Sequence, residues 1–373
     1  MSRAALVLGL LALAVLLYFA KVREGMADFE VYRRAAGRAQ AGENLYRPED
    51  GHYQYKYFPL FAIAMAPLAW MDGPTARAAW FAVSFVLLCV FVRAAVRRLP
   101  DPRLSRRALT WLAVLFVGKF YARELFLGQT NLLFAMTLIG ALAAAASGAR
   151  KTAGVCVALA VFVKPYGLIL VPWLAVAAGV TGLGTFALVL AVGLVAPATI
   201  YGWSGNIQQL LEWWRTVSDT SAPNLLKEEN ISFATAWAKW IGPGFTAIRL
   251  ALATGIAALA VAGWVLAKRP GVPNPSFLEV GLLMMLVPVL SPQGWDYLLL
   301  LSTPAILCLL DRWRETSPGW RVACGIGLAL MSFTIFDLLG RSLYAQAMNL
   351  SVVTVGVMIT IACIANLRLR ALA

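Results

Sequence analysis

An all-α polytopic membrane protein is the fold class this sequence predicts, and three observations carry that prediction. Hydrophobic residues make up 61% of the 373, and mean hydropathy is +0.74. Charged residues are only 13%, against about 25% in soluble domains. Apolar runs recur along the whole chain, so residues 1–373 read as a single integral membrane domain.

About twelve apolar segments read as spans: residues 4–20, 76–96, 107–122, 131–147, 152–164, 166–180, 183–202, 247–267, 276–290, 294–310, 320–337 and 348–366. The first has Arg3 ahead of it but no small-x-small cleavage signal, so it reads as a retained helix. Between the first two spans lies a polar loop, 21–75. Within it, residues 29–41 place Phe29, Tyr32, Ala35, Ala36 and Ala39 on one face, an interfacial helix ended by Gly42. Residues 59–73 are apolar but too short to cross, and suit a re-entrant or interfacial segment. Lys164-Pro165 and Ser291-Pro292 interrupt apolar stretches and predict broken helices there. In the long loop 203–246, Ile207, Leu210, Leu211, Trp213 and Trp214 alternate with polar residues, an amphipathic helix lying at headgroup level.

Charge sets the orientation. Arg93, Arg97, Arg98, Arg103, Arg106 and Arg107 form the densest basic loop, which the positive-inside rule places in the cytoplasm. Arg150-Lys151, Lys268-Arg269, Arg312, Arg314, Arg321, Arg368 and Arg370 then fall on that same side. The net charge of +14 therefore points to anionic lipid as the partner, not to nucleic acid. All five cysteines lie in apolar segments and His52 is the one histidine, a pattern that predicts neither disulfides nor a metal site. The outer face keeps the polar stretches, so chemistry belongs there. No nucleotide sugar is available on that side, and an activated group must arrive on a lipid.

Four motifs carry candidate chemistry, each with a plainer alternative. Asp28 stands where the first span meets water, placed to act as a base; the alternative is an N-cap on the helix that follows. Arg123-Glu124 through Gln129-Thr130-Asn131 joins an ion pair, a glycine and two amides, or else simply caps a helix. Lys164 is flanked by Val161-Phe162-Val163 and Leu168-Ile169-Leu170, a costly position unless it meets an anion such as a lipid phosphate or snorkels to water. Asp296 interrupts the apolar stretch from Phe277 to Leu310, and an acid at such depth is a functional candidate. Asp337 and Arg341 read as an i,i+4 pair at a helix end. The residues alone leave a membrane enzyme and a lipid-sugar flippase or transporter equally open. A purely structural subunit would have no reason to hold polar groups at such places.

In their order along the chain these motifs resemble glycosyltransferase family 87. The matching elements are Asp28 with Val31-Tyr32, Gly42 with Leu45-Tyr46, the aromatic-proline stretch from Tyr55 to Pro67, Gly128-Gln129 with Asn131, Lys164-Pro165, Asn230 with Ser232, and Ser291-Pro292 with Trp295. The resemblance implies a GT-C fold and an inverting transferase that takes a sugar, typically mannose, from a polyprenyl-phosphate donor. A glycolipid or glycan would be the acceptor. It also implies the cell membrane, the inner one in a bacterium, with the active site facing the exterior or periplasm. Asp28 is the implied base. Lys164, Lys56 and Arg123 are expected at the donor phosphate. Tyr32, Glu124, Gln129, Asn131, Asn230, Ser232, Trp295, Asp296 and Tyr297 are expected around the sugar and acceptor. No cofactor and no divalent metal are expected. One departure stands out: the family often has histidine after the Ser-Pro-x-x-Trp tryptophan, where this chain has Asp296-Tyr297.

Overall fold

In lipid a backbone must satisfy its own hydrogen bonds, and in a chain this apolar that leaves helices. The computed structural model describes residues 3–370, with side-chain surroundings from Leu8 onward. Its regular elements are helical; among the described residues there is no strand, only an isolated antiparallel bridge between Asn230 and Trp295. By length and composition, four helices among those residues qualify to cross a bilayer: Gly73–Arg98, Pro165–Val195, Phe245–Ala267 and Val352–Arg370. Pro318–Ser332 and Phe336–Asn349, bent by 94° against each other, make a fifth if taken as one span. Leu8–Val22, Asn131–Ala146 and Ser276–Leu290 are apolar but shorter.

The Pro165–Val195 stretch is not one rod. Gly179, at φ 63 and ψ −161, breaks it. Gly154 backs onto the backbone of Gly182 and Phe186, while Gly193 lies against the Phe162 ring. Residues 182–193 therefore run beside the Arg150–Val163 helix in the same direction, and the chain turns back at Gly179. Missing side chains at Gly154 and Gly193 allow that close approach, as small residues do in membrane helix packing. A second break, at Gly202 with φ 71 and ψ 173, separates the apolar part of Ala198–Asp219 from its amphipathic part.

The loop after the first helix contains a helix where one was expected, Ala27–Gln40. It ends with the Glu43 amide donating to the Arg38 carbonyl while Gly42 takes φ 67, as its sequence position predicts. Residues 59–73 hold two short helices, Pro59–Ala64 and Ala66–Ala69, neither long enough to cross.

Two expectations fail near the C-terminus. The helix predicted to end at 337 stops at Ser332, and a further helix, Phe336–Asn349, follows after the sharp bend. Asp337 and Arg341 do not pair, because Gly340 leaves helical geometry between them at φ 72 and ψ 169.

Several basic loops do meet at one end of the bundle. The Arg103 and Leu104 amides donate to the Asp311 carboxylate at 2.8 and 2.9 Å, and Arg103 Nε reaches Glu315 at 2.9 Å. Arg312 donates to the Pro100 and Asp101 carbonyls, and Arg370 to the Glu315 carbonyl. Glu279 is shared by Arg368 at 3.1 Å and Arg269 at 3.5 Å. The Arg106–Leu127 helix runs from this arginine-rich end to the opposite one, where Asp28 lies.

Candidate active site

Asp28 does not cap its helix. Met26 takes the cap position with extended backbone, and Asp28 sits in the first helical turn. Its Oδ2 accepts from Gln129 Nε2 at 2.7 Å. The side chain is half-buried. Burial holds the Asp28 carboxyl above the usual aspartate range, against the Gln129 hydrogen bond and the positive Lys164 and Lys56, which pull it down.

The position of Gln129 follows from the glycine before it. Gly128 ends the Arg106–Leu127 helix in the left-handed region, at φ 72. A side chain there would be strained, and its Cβ would meet Phe29 Cβ at 2.7 Å and Met26 Cε at 2.9 Å. The Trp80 indole donates to the Gly128 carbonyl at 2.9 Å and holds the turn. Helix end and first-loop helix thus touch at Gly128, and the next residue meets Asp28.

Gln129 is the hub of the cluster. Its Nε2 also donates to Tyr297 Oη at 3.0 Å, while its Oε1 accepts from Tyr32 Oη and from Lys164 Nζ, both at 3.2 Å. A lysine ammonium only donates and an ionised carboxylate only accepts, so these two partners fix which way the amide faces. Tyr32 Oη is 2.8 Å from Tyr57 Oη, and Lys164 Nζ lies 5.6 Å from the centre of the Tyr57 ring. Lys164 reaches this place because it precedes Pro165, which disfavours helical geometry in the residue before it. Its backbone is accordingly extended, at φ −150 and ψ 130, and the Arg150–Val163 helix ends there.

Lys56 lies nearby on the first loop, donating to Gln293 Oε1 at 3.1 Å. Burial lowers its pKa and the Asp28 carboxylate raises it in part. Gln293 is held in turn by Thr220 at 3.0 Å. The amphipathic helix joins the cluster through Trp213, whose indole donates to the Lys56 carbonyl and whose ring stacks on Phe58 at 4.2 Å.

Other expected residues are placed differently. Arg123 is engaged by carboxylates, 2.8 Å from Asp296 and 3.7 Å from Glu229, and lies near the Tyr297 ring. Glu124 is fully buried, accepting from Asn131 Nδ2 at 2.7 Å and the Leu132 amide at 2.9 Å, so this pair braces the turn around Gly128. Asn230 donates to the Asn224 and Pro292 carbonyls and accepts from the Ser232 amide. Ser232 caps the Phe233–Ile241 helix. Both are buried, and together with the Asn230–Trp295 bridge they pin the long loop to the Ser291–Asp296 turn. Trp295 is half-buried beside that bridge.

Sequence reasoning left out Tyr57 and Gln293. Each sits inside a quoted motif, Tyr55 to Pro59 and Ser291 to Trp295, and neighbouring candidates were the available signal. Glu30, two residues from Asp28, is paired with Arg77 at 2.9 Å. Among Asp28, Glu30, Glu124 and Asp296, only Asp28 combines partial exposure with an uncharged hydrogen-bond donor. Among the described residues, no three His, Cys, Asp or Glu side chains group as metal ligands do.

The sequence model of glycosyltransferase family 87 matches residues 55–292, a stretch that holds Lys56, Gln129 and Lys164 and begins after Asp28. The chain is 25% identical over 347 residues to a polyprenol-phosphate-mannose-dependent alpha-(1-2)-phosphatidylinositol mannoside mannosyltransferase of Mycobacterium tuberculosis. That similarity covers 84% of this chain and 77% of the mycobacterial protein.

Proposed function

The chain belongs to glycosyltransferase family 87, and from that premise we propose that it moves a sugar, mannose, from a polyprenyl-phosphate donor onto a glycolipid or glycan acceptor. In this reading the whole chain is one GT-C unit of about twelve spans, the reaction faces the exterior of the cell membrane, and the product linkage is alpha. The observation that carries it is the Asp28–Gln129–Lys164 chain. It sets a carboxylate and an ammonium on opposite sides of one amide.

A single displacement fits that arrangement. The acceptor hydroxyl oxygen attacks the anomeric carbon while its proton passes to Asp28. The bond from that carbon to the phosphate oxygen breaks, and polyprenyl phosphate leaves with the electron pair. Attack from the face opposite the leaving group inverts a beta donor to an alpha product. Positioned base catalysis of this kind contributes roughly 10² to 10⁴ in rate. Charge collects on the departing phosphate, and Lys164 and Lys56 are the cations placed to meet it. Those two lysines supply positive charge without a divalent cation. Tyr32 and Tyr297 share Gln129 with Asp28, and they and the half-buried Trp295 suit sugar or acceptor hydroxyls and faces.

Transfer of radiolabelled mannose from synthetic polyprenyl-phosphate-mannose tests this, with purified chain in native-like lipid and a membrane glycolipid extract as acceptor. Label should reach the extract with wild type and fail to do so with Asp28→Asn of unchanged thermal midpoint. Movement of the donor between leaflets with no transfer would overturn the reading in favour of a flippase.

A further inference from the structure

A well-formed cavity lies away from Asp28. It lies at the arginine-rich end, about 540 Å³ in volume, lined by Arg312, Arg368 and Arg370 together with the aliphatic Val272, Leu278 and Leu367. We propose that it binds a phosphate group, carried on an anionic lipid headgroup or free in solution.

Arg368 is the first observation. It is completely buried, yet its Nε and Nη1 have no hydrogen-bond partner among the described residues; only Nη2 is used, on Glu279 and the Pro275 carbonyl. A buried guanidinium left with open donors is rare in a folded protein and points to an absent partner. Phosphate is the anion that the guanidinium fork matches best.

The carboxylates around the cavity do not fill that need. Glu315 is held by Arg103 at 2.9 Å and Arg312 at 3.5 Å, and Glu279 by Arg368 and Arg269. Asp311 accepts from the Arg103 and Leu104 amides and lies 3.6 Å from Arg312. Asp101 lines the cavity as well. Arg103, Arg269, Arg312, Arg368 and Arg370 thus outnumber Asp101, Glu279, Asp311 and Glu315. Arg97, Arg98, Lys268 and Arg314 add further positive charge close by in the sequence.

The second observation is the mixed chemistry of the lining. Guanidiniums together with aliphatic side chains suit a phosphate headgroup and the start of its acyl chains. Basic pockets between helices on the positive side of a membrane protein hold headgroups in this way.

The test uses the purified, delipidated full chain, followed by native mass spectrometry and thermal shift. Phosphatidylglycerol, phosphatidylcholine and inorganic phosphate are added separately. Wild type should retain phosphatidylglycerol over phosphatidylcholine if the site takes a headgroup, or be stabilised by inorganic phosphate if it takes the free anion. Removing two arginines in Arg312→Gln/Arg370→Gln should weaken binding by about tenfold or more. Arg97→Gln/Arg98→Gln should leave it unchanged. If the first pair fails to fold, Val272→Trp, which occupies the cavity and keeps every arginine, should abolish binding. Binding that survives both, or falls equally in the Arg97/Arg98 variant, would show diffuse surface charge and overturn the site. So would binding neither to phosphatidylglycerol nor to inorganic phosphate.

Discussion

The two ends of the Arg106–Leu127 helix handle charge in opposite ways. At the arginine-rich end, acids and bases touch: Glu279 meets Arg368, and Glu315 meets Arg103. At the Asp28 end, amides stand between them. Asp28 is bonded to the Gln129 amide, Lys164 to the same amide from the other side, and Lys56 to the Gln293 amide. A directly paired charge is neutralised and holds structure together. A charge held by a neutral amide is oriented but keeps its field for a ligand. Arg123–Asp296 and Arg77–Glu30 are exceptions at the Asp28 end, and direct pairing marks them as scaffold.

The largest expected effect breaks the comparison at its most reactive point. Asp28→Asn keeps the hydrogen-bonding shape but removes the base, so transfer should fall by roughly 10² to 10⁴ with an unchanged thermal midpoint. Next comes the opposite end. Glu279→Gln leaves Arg368 buried without its carboxylate, and denaturation should show a loss of about 3–5 kcal/mol. Transfer per folded molecule should stay at the wild-type value. Lys164→Met should then lower the turnover rate by roughly 10² to 10³, since it removes charge where the leaving phosphate develops it. Lys164→Arg should recover part of that loss.

A pH profile gives the smallest and most diagnostic effect. Burial raises the Asp28 pKa, so the acid limb of the transfer rate should lie above the range of an ordinary aspartate. Gln129 donates to the charged form and pulls that pKa down. Gln129→Leu removes the donor, the pKa rises further, and the acid limb should move to higher pH by about one unit, or 1.4 kcal/mol. A rate lost equally at every pH would instead mean that Gln129 only supports the fold.

The sequence made some of this legible and hid the rest for physical reasons. Asp28, Gln129 and Lys164 could be singled out because a polar group beside apolar spans is costly and therefore conspicuous, whereas Lys56 came only with the family resemblance. Whether Asp28 caps its helix turned on two residues of register: Met26 takes the cap and Asp28 follows in the first turn. Asn230, Ser232 and Glu124 look like ligand-binding residues in a motif, yet each has its polar atoms engaged in holding a loop or turn. A string of letters does not distinguish a hydrogen bond to the chain from one to a sugar. Hydropathy also gave no sign of the 94° bend before Phe336. A turn-back within apolar sequence changes direction without changing composition.

Contact at Gly128 has a consequence for how such a site works. With no methyl group between the end of the Arg106–Leu127 helix and Phe29, the surface of one element is the seat of the other. The distance from Asp28 to Gln129 is then a matter of fit between two rigid bodies, set before any substrate arrives. No hinge has to close to bring the carboxylate to its amide. A single added carbon at Gly128 would act as a shim, lifting the first-loop helix and opening the proton acceptor away from the cations that meet the phosphate.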